Sequence, residues 1–334
     1  MTRYELVKSA IAHQQTDKVP SCIHLAGDGW NKYSDQLFDR YVKGDTLKLF
    51  EDGKLSRQHA IYYGMGNHVL CVGCPWWDWY DLPESYYTDE DAPEYLPKTI
   101  GSGSYEEFAK TVKNLKENTD AYVLVLIWGS HFEKAYFARG IENFLADLAG
   151  EPEYAQKLLD FIIRKNMVML ENIVHTPGVD GILLGSDWGA QTDLLMSPAC
   201  WQEMIAPGEK REYDLIHEAG VDVWVHSCGN IQRILPDLTE LGVDALNPVQ
   251  PECMDIYKLK EMYGDKITFW GGISTQQTLP YGTAEEVAAE TRAVAGGMSV
   301  SGGFITPPAQ EIQADVPYEN LCALIDTAAE LAGR

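Results

Sequence analysis

The feature that most constrains this chain is an alternation. Short runs of β-branched and aliphatic residues, each closed by Gly, Pro or Asn, are followed again and again by a segment whose apolar residues recur at helical spacing. That alternation is the signature of βα units. Strands are expected at 178–187, 221–229, 243–250, 267–274 and 302–309, and helices between them at 198–219, 231–241, 256–263 and 284–295. The last of these helices is expected to stop at Gly296-Gly297, and a final helix at 318–332 closes the chain. Three further strand candidates, 19–25, 68–72 and 121–128, bring the total to eight, which points to an α/β fold of the (β/α)8 TIM barrel type. A doubly wound sheet usually carries a Gly-rich phosphate loop after its first strand. The nearest match here, Gly101-Ser102-Gly103-Ser104, follows no expected strand. With no fixed-period repeat and no low-complexity linker, one domain over residues 1–334 is expected, carrying an aromatic-rich insertion at about 74–100.

Charge narrows the partners. Against 26 Lys and Arg stand 50 Asp and Glu, a net charge of −24 over 334 residues. Such a surface repels phosphate backbones and anionic lipid, so neither nucleic acid nor a membrane is an expected partner. Seven cysteines, an odd number, form no regular disulfide framework and fit a reducing, cytoplasmic setting. The opening Met1-Thr2-Arg3-Tyr4-Glu5-Leu6 reads as a polar helix start without a secretion signal, and the most apolar stretch, 121–128, falls short of the ~18 residues that span a bilayer. A soluble protein is expected, with self-association left open.

A barrel presents its reactive groups at the C-terminal ends of its strands. Those ends read Gly185-Ser186-Asp187-Trp188-Gly189, His226-Ser227-Cys228-Gly229-Asn230, Asn247-Pro248-Val249-Gln250, Trp270-Gly271-Gly272-Ile273-Ser274 and Pro307-Pro308-Ala309-Gln310-Glu311. His226 and Cys228 are two apart, so on an extended strand both side chains share a face, about 6–7 Å apart at Cα. An imidazole and a thiolate so placed can share a zinc ion. The alternative is a buried small hydrophobe beside a satisfied polar residue. Asp187 leaves the apolar run Ile182-Leu183-Leu184 at the barrel mouth, where it can orient a ligand, act as a general acid or bind metal; an N-cap or loop role is the alternative. Trp188 and Gln250, each at one of these strand ends, are expected substrate contacts.

The segment Cys74-Pro75-Trp76-Trp77-Asp78-Trp79-Tyr80-Asp81, followed by Tyr86 and Tyr87, places large aromatics outside any periodic element. Trp76, Trp77, Trp79 and Tyr80 form either a wall against a flat ligand or a hydrophobic cluster under a loop. Cys71 and Cys74 make a C-x-x-C without a partnering pair or a thioredoxin-like context, so neither a redox nor a metal role is assigned to them.

The runs His226-Ser227-Cys228-Gly229-Asn230-Ile231, Gly242-Val243-Asp244-Ala245-Leu246-Asn247-Pro248-Val249-Gln250-Pro251 and Phe269-Trp270-Gly271-Gly272-Ile273-Ser274-Thr275-Gln276 resemble the uroporphyrinogen decarboxylase superfamily, and within it the corrinoid-dependent methyltransferase branch. The resemblance is strongest over about 178–320, with weaker support from 137–145, and implies a (β/α)8 barrel. Decarboxylases of that superfamily hold their substrate's carboxylates with Arg just after the first strand. The stretch 21–30 here has neither Arg nor Lys and carries Asp28, so decarboxylation is not expected. The methyltransferases hold zinc through His-x-Cys and a later Cys. His226 and Cys228 match the first two ligands, but the eighth strand end has no cysteine, which leaves Glu311 as the expected third ligand with Asp187 or Gln310 behind it. A carboxylate in place of a thiolate makes the zinc harder and better suited to oxygen.

The resemblance therefore implies transfer of a methyl group from an oxygen-bound donor, an aryl methyl ether being favoured, to the Co(I) of a corrinoid protein. His226, Cys228 and Glu311 are the expected ligands, and His226, Glu311 and Asp187 the expected catalytic groups. The chain has no Asp-x-His-x-x-Gly motif, so the corrinoid is expected on a separate partner. Transfer from methylcobalamin to a thiol, a metal-free decarboxylase-like enzyme and a non-catalytic scaffold are the alternatives.

Overall fold

A computed structural model describes residues 1–79, 99–306 and 308–334, apart from the Trp79 side chain. Most of the expected insertion at 74–100, together with Tyr80, Tyr86, Tyr87 and Pro307, lies outside the described residues. The strands in chain order are β1 (Val69–Gly73), β2 (Trp76–Trp79), β3 (Thr99–Ser102), β4 (Tyr122–Ile127), β5 (Gly181–Gly185), β6 (Asp222–His226), β7 (Ala245–Val249), β8 (Thr268–Gly271) and β9 (Phe304–Ile305). The chain packs into two compact units whose segments interleave in sequence. The first comprises Met1–Cys71, Lys113–Leu124 and Asp244–Arg334; the second comprises Val72–Val112 and Val125–Val243. One domain remains a proposal about the whole chain. Among the described residues no helix is long and apolar enough to cross a membrane.

In the first unit β7, β8 and β9 run parallel, with Leu246 opposite Phe269 and Phe269 opposite Phe304. All three side chains are fully buried, because a parallel strand covered by helices has no wet face. The strand expected at 19–25 forms no continuous ladder. It makes isolated parallel bridges, Ser21 to Thr306 and Leu25 to Ile312, and on its other side the Asn67 side chain takes the place of a neighbouring strand: Ile23 N–H donates to Asn67 Oδ1 (3.0 Å) and Asn67 Nδ2 donates to the Ile23 carbonyl (2.9 Å). The helix Ala284–Met298 does not stop at Gly296-Gly297 as expected. A Cβ at Gly297 would lie 2.5 Å from the Tyr257 ring, so the glycine marks a close helix–helix approach and no helix end.

In the second unit β5 and β6 pair in parallel from Gly181 opposite Asp222 to Gly185 opposite His226. The helix expected at 198–219 is broken into Pro198–Cys200, a π-helical turn Trp201–Ile205 and Ala206–Glu218. Pro207 has no N–H to give, and the preceding backbone widens so that Ala206 N–H reaches the Trp201 carbonyl. β2 and β3 form an antiparallel hairpin, Trp76 opposite Ser102 and Trp79 opposite Thr99. It is tied down by a buried polar network: Trp77 Nε1 donates to Asn166 Oδ1 (2.8 Å), Asn166 Nδ2 donates to Glu212 Oε1 (2.8 Å), and Lys134 Nζ donates to the Trp77 carbonyl (2.8 Å).

Candidate functional site

Asp187, His226 and Cys228 come together in the second unit. Their ligand atoms all lie within 4.8 Å of one another. β6 delivers the His226 ring at its last residue, and Cys228, two residues on, turns back toward it with Sγ 3.4 Å from Nε2. Asp187 arrives from the end of β5 and accepts a hydrogen bond from Cys228 N–H (2.8 Å), with its Oδ1 3.6 Å from His226 Nε2. Two glycines make this meeting feasible. A Cβ on Gly189 would sit 2.6 Å from the Cys228 carbonyl oxygen, and one on Gly229, whose φ is +82°, 2.5 Å from the Gly189 carbonyl carbon. The two strand-end loops thus touch backbone to backbone, with Asn230 N–H donating to the Ala190 carbonyl (2.7 Å). Trp128 places its edge against the His226 ring, centroids 4.7 Å apart at 89°, which fixes the ring plane.

The surroundings are acidic. On the helix His131–Arg139, Tyr136 Oη donates to Glu133 Oε1 (2.9 Å). Burial and then the Asp187 charge push the Glu133 carboxyl up to about 7, and burial with the Glu133 carboxylate raises the Tyr136 phenol. An imidazole, a thiol and half-exposed Asp187, set beside a further carboxyl, is a donor set and charge balance that suits a divalent ion and leaves an approach open on the Asp187 side.

Asp187 is the acidic residue grouped with His226 and Cys228. Glu311, expected as the third ligand, lies in the first unit. There burial raises its carboxyl, His24 lowers it and Cys71 raises it again. With Gln250 and Gln310 it lines a cavity of about 380 Å³. The first unit holds a second group: Cys22, His24 and Cys71, all buried, also converge within 4.8 Å.

The aromatic residues divide. Trp188, expected as a substrate contact, is fully buried and edge-on to Trp201, centroids 5.3 Å apart, so its side chain packs in the core. Trp77 is buried against Phe161 and hydrogen-bonded to Asn166. Trp76 is half-buried under the Lys134 ammonium, 3.5 Å from the ring centroid, and both tryptophans line a second-unit cavity of about 630 Å³. The Trp79 side chain and Tyr80 lie outside the described residues.

Glu133, Tyr136 and Trp128 escaped the sequence reading. The only trace of the first two is that their helix directly follows the strand expected at 121–128. The first-unit group had a better signal: Cys22-x-His24 repeats the two-residue spacing of His226-x-Cys228.

Comparison with known proteins extends this geometry. Over 268 residues, 78% of this chain and 68% of the relative, the sequence is 23% identical to a methylated-thiol–coenzyme M methyltransferase of Methanosarcina mazei. It is 26% identical to the methylcobamide:CoM methyltransferase MtaA of Methanosarcina barkeri over 186 residues, 55% of this chain and 51% of that protein, so the match spans about half of the latter's length. A solved methyltransferase from Methanosarcina mazei superposes with a TM-score of 0.66 at 16% identity, covering 99% of both chains. That likeness shows the fold, the α/β barrel class expected from the strand alternation. The family model for uroporphyrinogen decarboxylase (URO-D) matches residues 83–331, well over half of the chain, and the chain therefore belongs to the uroporphyrinogen decarboxylase family.

Proposed function

We propose that this chain is a corrinoid-dependent methyltransferase, passing a methyl group between a small molecule and the cobalt of a separate corrinoid protein. The observation that carries the reading is the convergence of Asp187, His226 and Cys228 at adjacent strand ends, in a chain whose relatives are named as methyltransferases acting with methylcobamide or coenzyme M. Asp187, His226 and Cys228 would hold zinc, which when bound supplies Lewis acidity to the atom that carries or receives the methyl. Trp128 holds the His226 ring in place, and Glu133, half-buried beside Asp187 and hydrogen-bonded by Tyr136, is the group that can exchange a proton with a departing oxygen. Where Glu311 was expected among the ligands, we assign that place to Asp187, and give Glu311 and Gln250 to the cavity they line.

One thiolate against one imidazole and one carboxylate makes a fairly hard site, which favours an O-methyl donor, an aryl methyl ether first. A methylated thiol is the second reading, favoured by the relatives' names. Decarboxylation is disfavoured because residues 21–30 hold neither Arg nor Lys to receive a polycarboxylate. The test follows cobalt absorbance in a methyl-free Co(I) corrinoid protein while aryl methyl ethers, methanol, methylamines and methylated thiols are offered in turn. Methyl-cobalt formation with an aryl ether is the expected result. Turnover of thiols alone selects the second reading, and release of carbon dioxide from uroporphyrinogen with no cobalt alkylation overturns both.

A further inference from the structure

The first-unit group of Cys22, His24 and Cys71 is given no role in that reading of the reaction. We propose that these three residues form a separate metal site, built to hold a thiophilic divalent ion such as zinc.

The donors are two thiols and an imidazole converging within 4.8 Å, all buried. A tetrahedral zinc with Zn–S of about 2.3 Å and Zn–N of about 2.0 Å separates its ligand atoms by roughly 3.5–3.8 Å, so side-chain contraction alone closes the site. His24 Nε2 is buried and has no hydrogen-bond partner. A buried ring nitrogen left without a partner costs about 1–3 kcal/mol; a metal accepts its lone pair.

The backbone beneath the group is fixed on every side. Cys22 N–H donates to the Thr306 carbonyl (3.0 Å), and the Cys22 carbonyl accepts from Trp270 Nε1 (3.1 Å). The His24 carbonyl accepts from Ile312 N–H (2.9 Å), with Ile23 between them clasped by Asn67. Cys71, on β1, gives its carbonyl to His59 Nε2 (3.2 Å). Such anchoring holds ligands in place before an ion arrives. When the site is loaded, two thiolates, a neutral imidazole and a dication sum to zero charge, which a buried site favours.

The probe is Co²⁺, read by its near-ultraviolet thiolate-to-cobalt band. The background is Cys228→Ser, which removes the only thiol of the second-unit group at a half-buried position. In that chain the band is expected to persist at about one Co²⁺ per chain and to fall by about half with either Cys22→Ser or Cys71→Ser added. Should the buried replacements unfold, the remaining free cysteines Cys74, Cys200, Cys253 and Cys322 are replaced instead, and an unchanged band assigns it to Cys22 and Cys71. No thiolate band in Cys228→Ser, or its loss when Cys74, Cys200, Cys253 and Cys322 are replaced, overturns the site. Methyl transfer to cobalt reads the second-unit group alone, so the two readings fail separately.

Discussion

Both units place a Cys and a His two residues apart, yet the two groups differ in access. Cys22, His24 and Cys71 are buried in the first unit, whereas Asp187 and Cys228 stand half-exposed in the second. The source of the difference lies in what surrounds each strand end. Segment 20–26 is enclosed by hydrogen bonds to 304–312 on one side and 66–68 on the other. The loops after β5 and β6 meet through Gly189 and Gly229 and leave Asp187 facing outward. Similar ligand chemistry therefore suits two purposes: a closed site for an ion that stays, and an open one where a ligand can reach it.

The largest expected effect tests the open site. His226→Ala and Cys228→Ala each remove a direct ligand and should lower methyl transfer to Co(I) on the order of 10³-fold, followed by cobalt absorbance. Retention of wild-type rates in both would return the pair to packing. Access itself can be measured next. Peptide-mapped labelling with a small alkylating reagent should modify Cys228 at least ~100-fold faster than Cys22 or Cys71, since buried thiols react only when the structure opens. Equal rates would erase the contrast between the two groups.

Stability sharpens it further. Asn166→Ala should cost the second unit roughly 2–3 kcal/mol in denaturant unfolding, because it strands both Trp77 Nε1 and the Glu212 carboxyl in the core. A loss below about 0.5 kcal/mol would mean the network is dispensable.

Acid and base should then separate the two units. In the first, burial, with Arg334 and Arg3 nearby, depresses His68 to about 3, and its Nδ1 accepts from Ser21 N–H. Its folded value lies below the unfolded ~6.5, so the stability it contributes is full above that pH and drains as pH falls toward 3, by up to about 1.4 kcal/mol per unit. In the second unit burial and then Glu209 raise the Glu212 carboxyl well above 4.5. Its contribution is full below 4.5 and lost as pH rises toward its folded value. Hydrogen-exchange protection factors should accordingly fall on acidification around His68 and on alkalinisation around Glu212. Parallel trends in both places would contradict these protonation states.

Much of this was written in the local sequence. The short apolar runs of β5 to β8, each closed by Gly, Pro or Asn, and the longer period of the helices gave the elements, because strands buried on both faces read as continuous apolar runs. The spacing of His226 and Cys228 put both side chains on one face, and the structure keeps them 3.4 Å apart. Gly296-Gly297 misled, since a glycine that ends a helix and one that admits a neighbouring ring look alike in one dimension. Trp188 misled for a similar reason: position after a strand says where a residue is, while its rotamer and the Trp201 ring decide which way it faces.

What the sequence determined by itself was the α/β class, the acidity and the His-x-Cys pair, all of which depend on residues near one another in the chain. What only the tertiary structure decided was partnership: Asp187 with Cys228 across 41 positions, and Cys71 with Cys22 and His24 across nearly fifty. No local periodicity encodes which strand ends become neighbours, because that follows from strand pairing and loop contact, and those are settled only when the whole core closes.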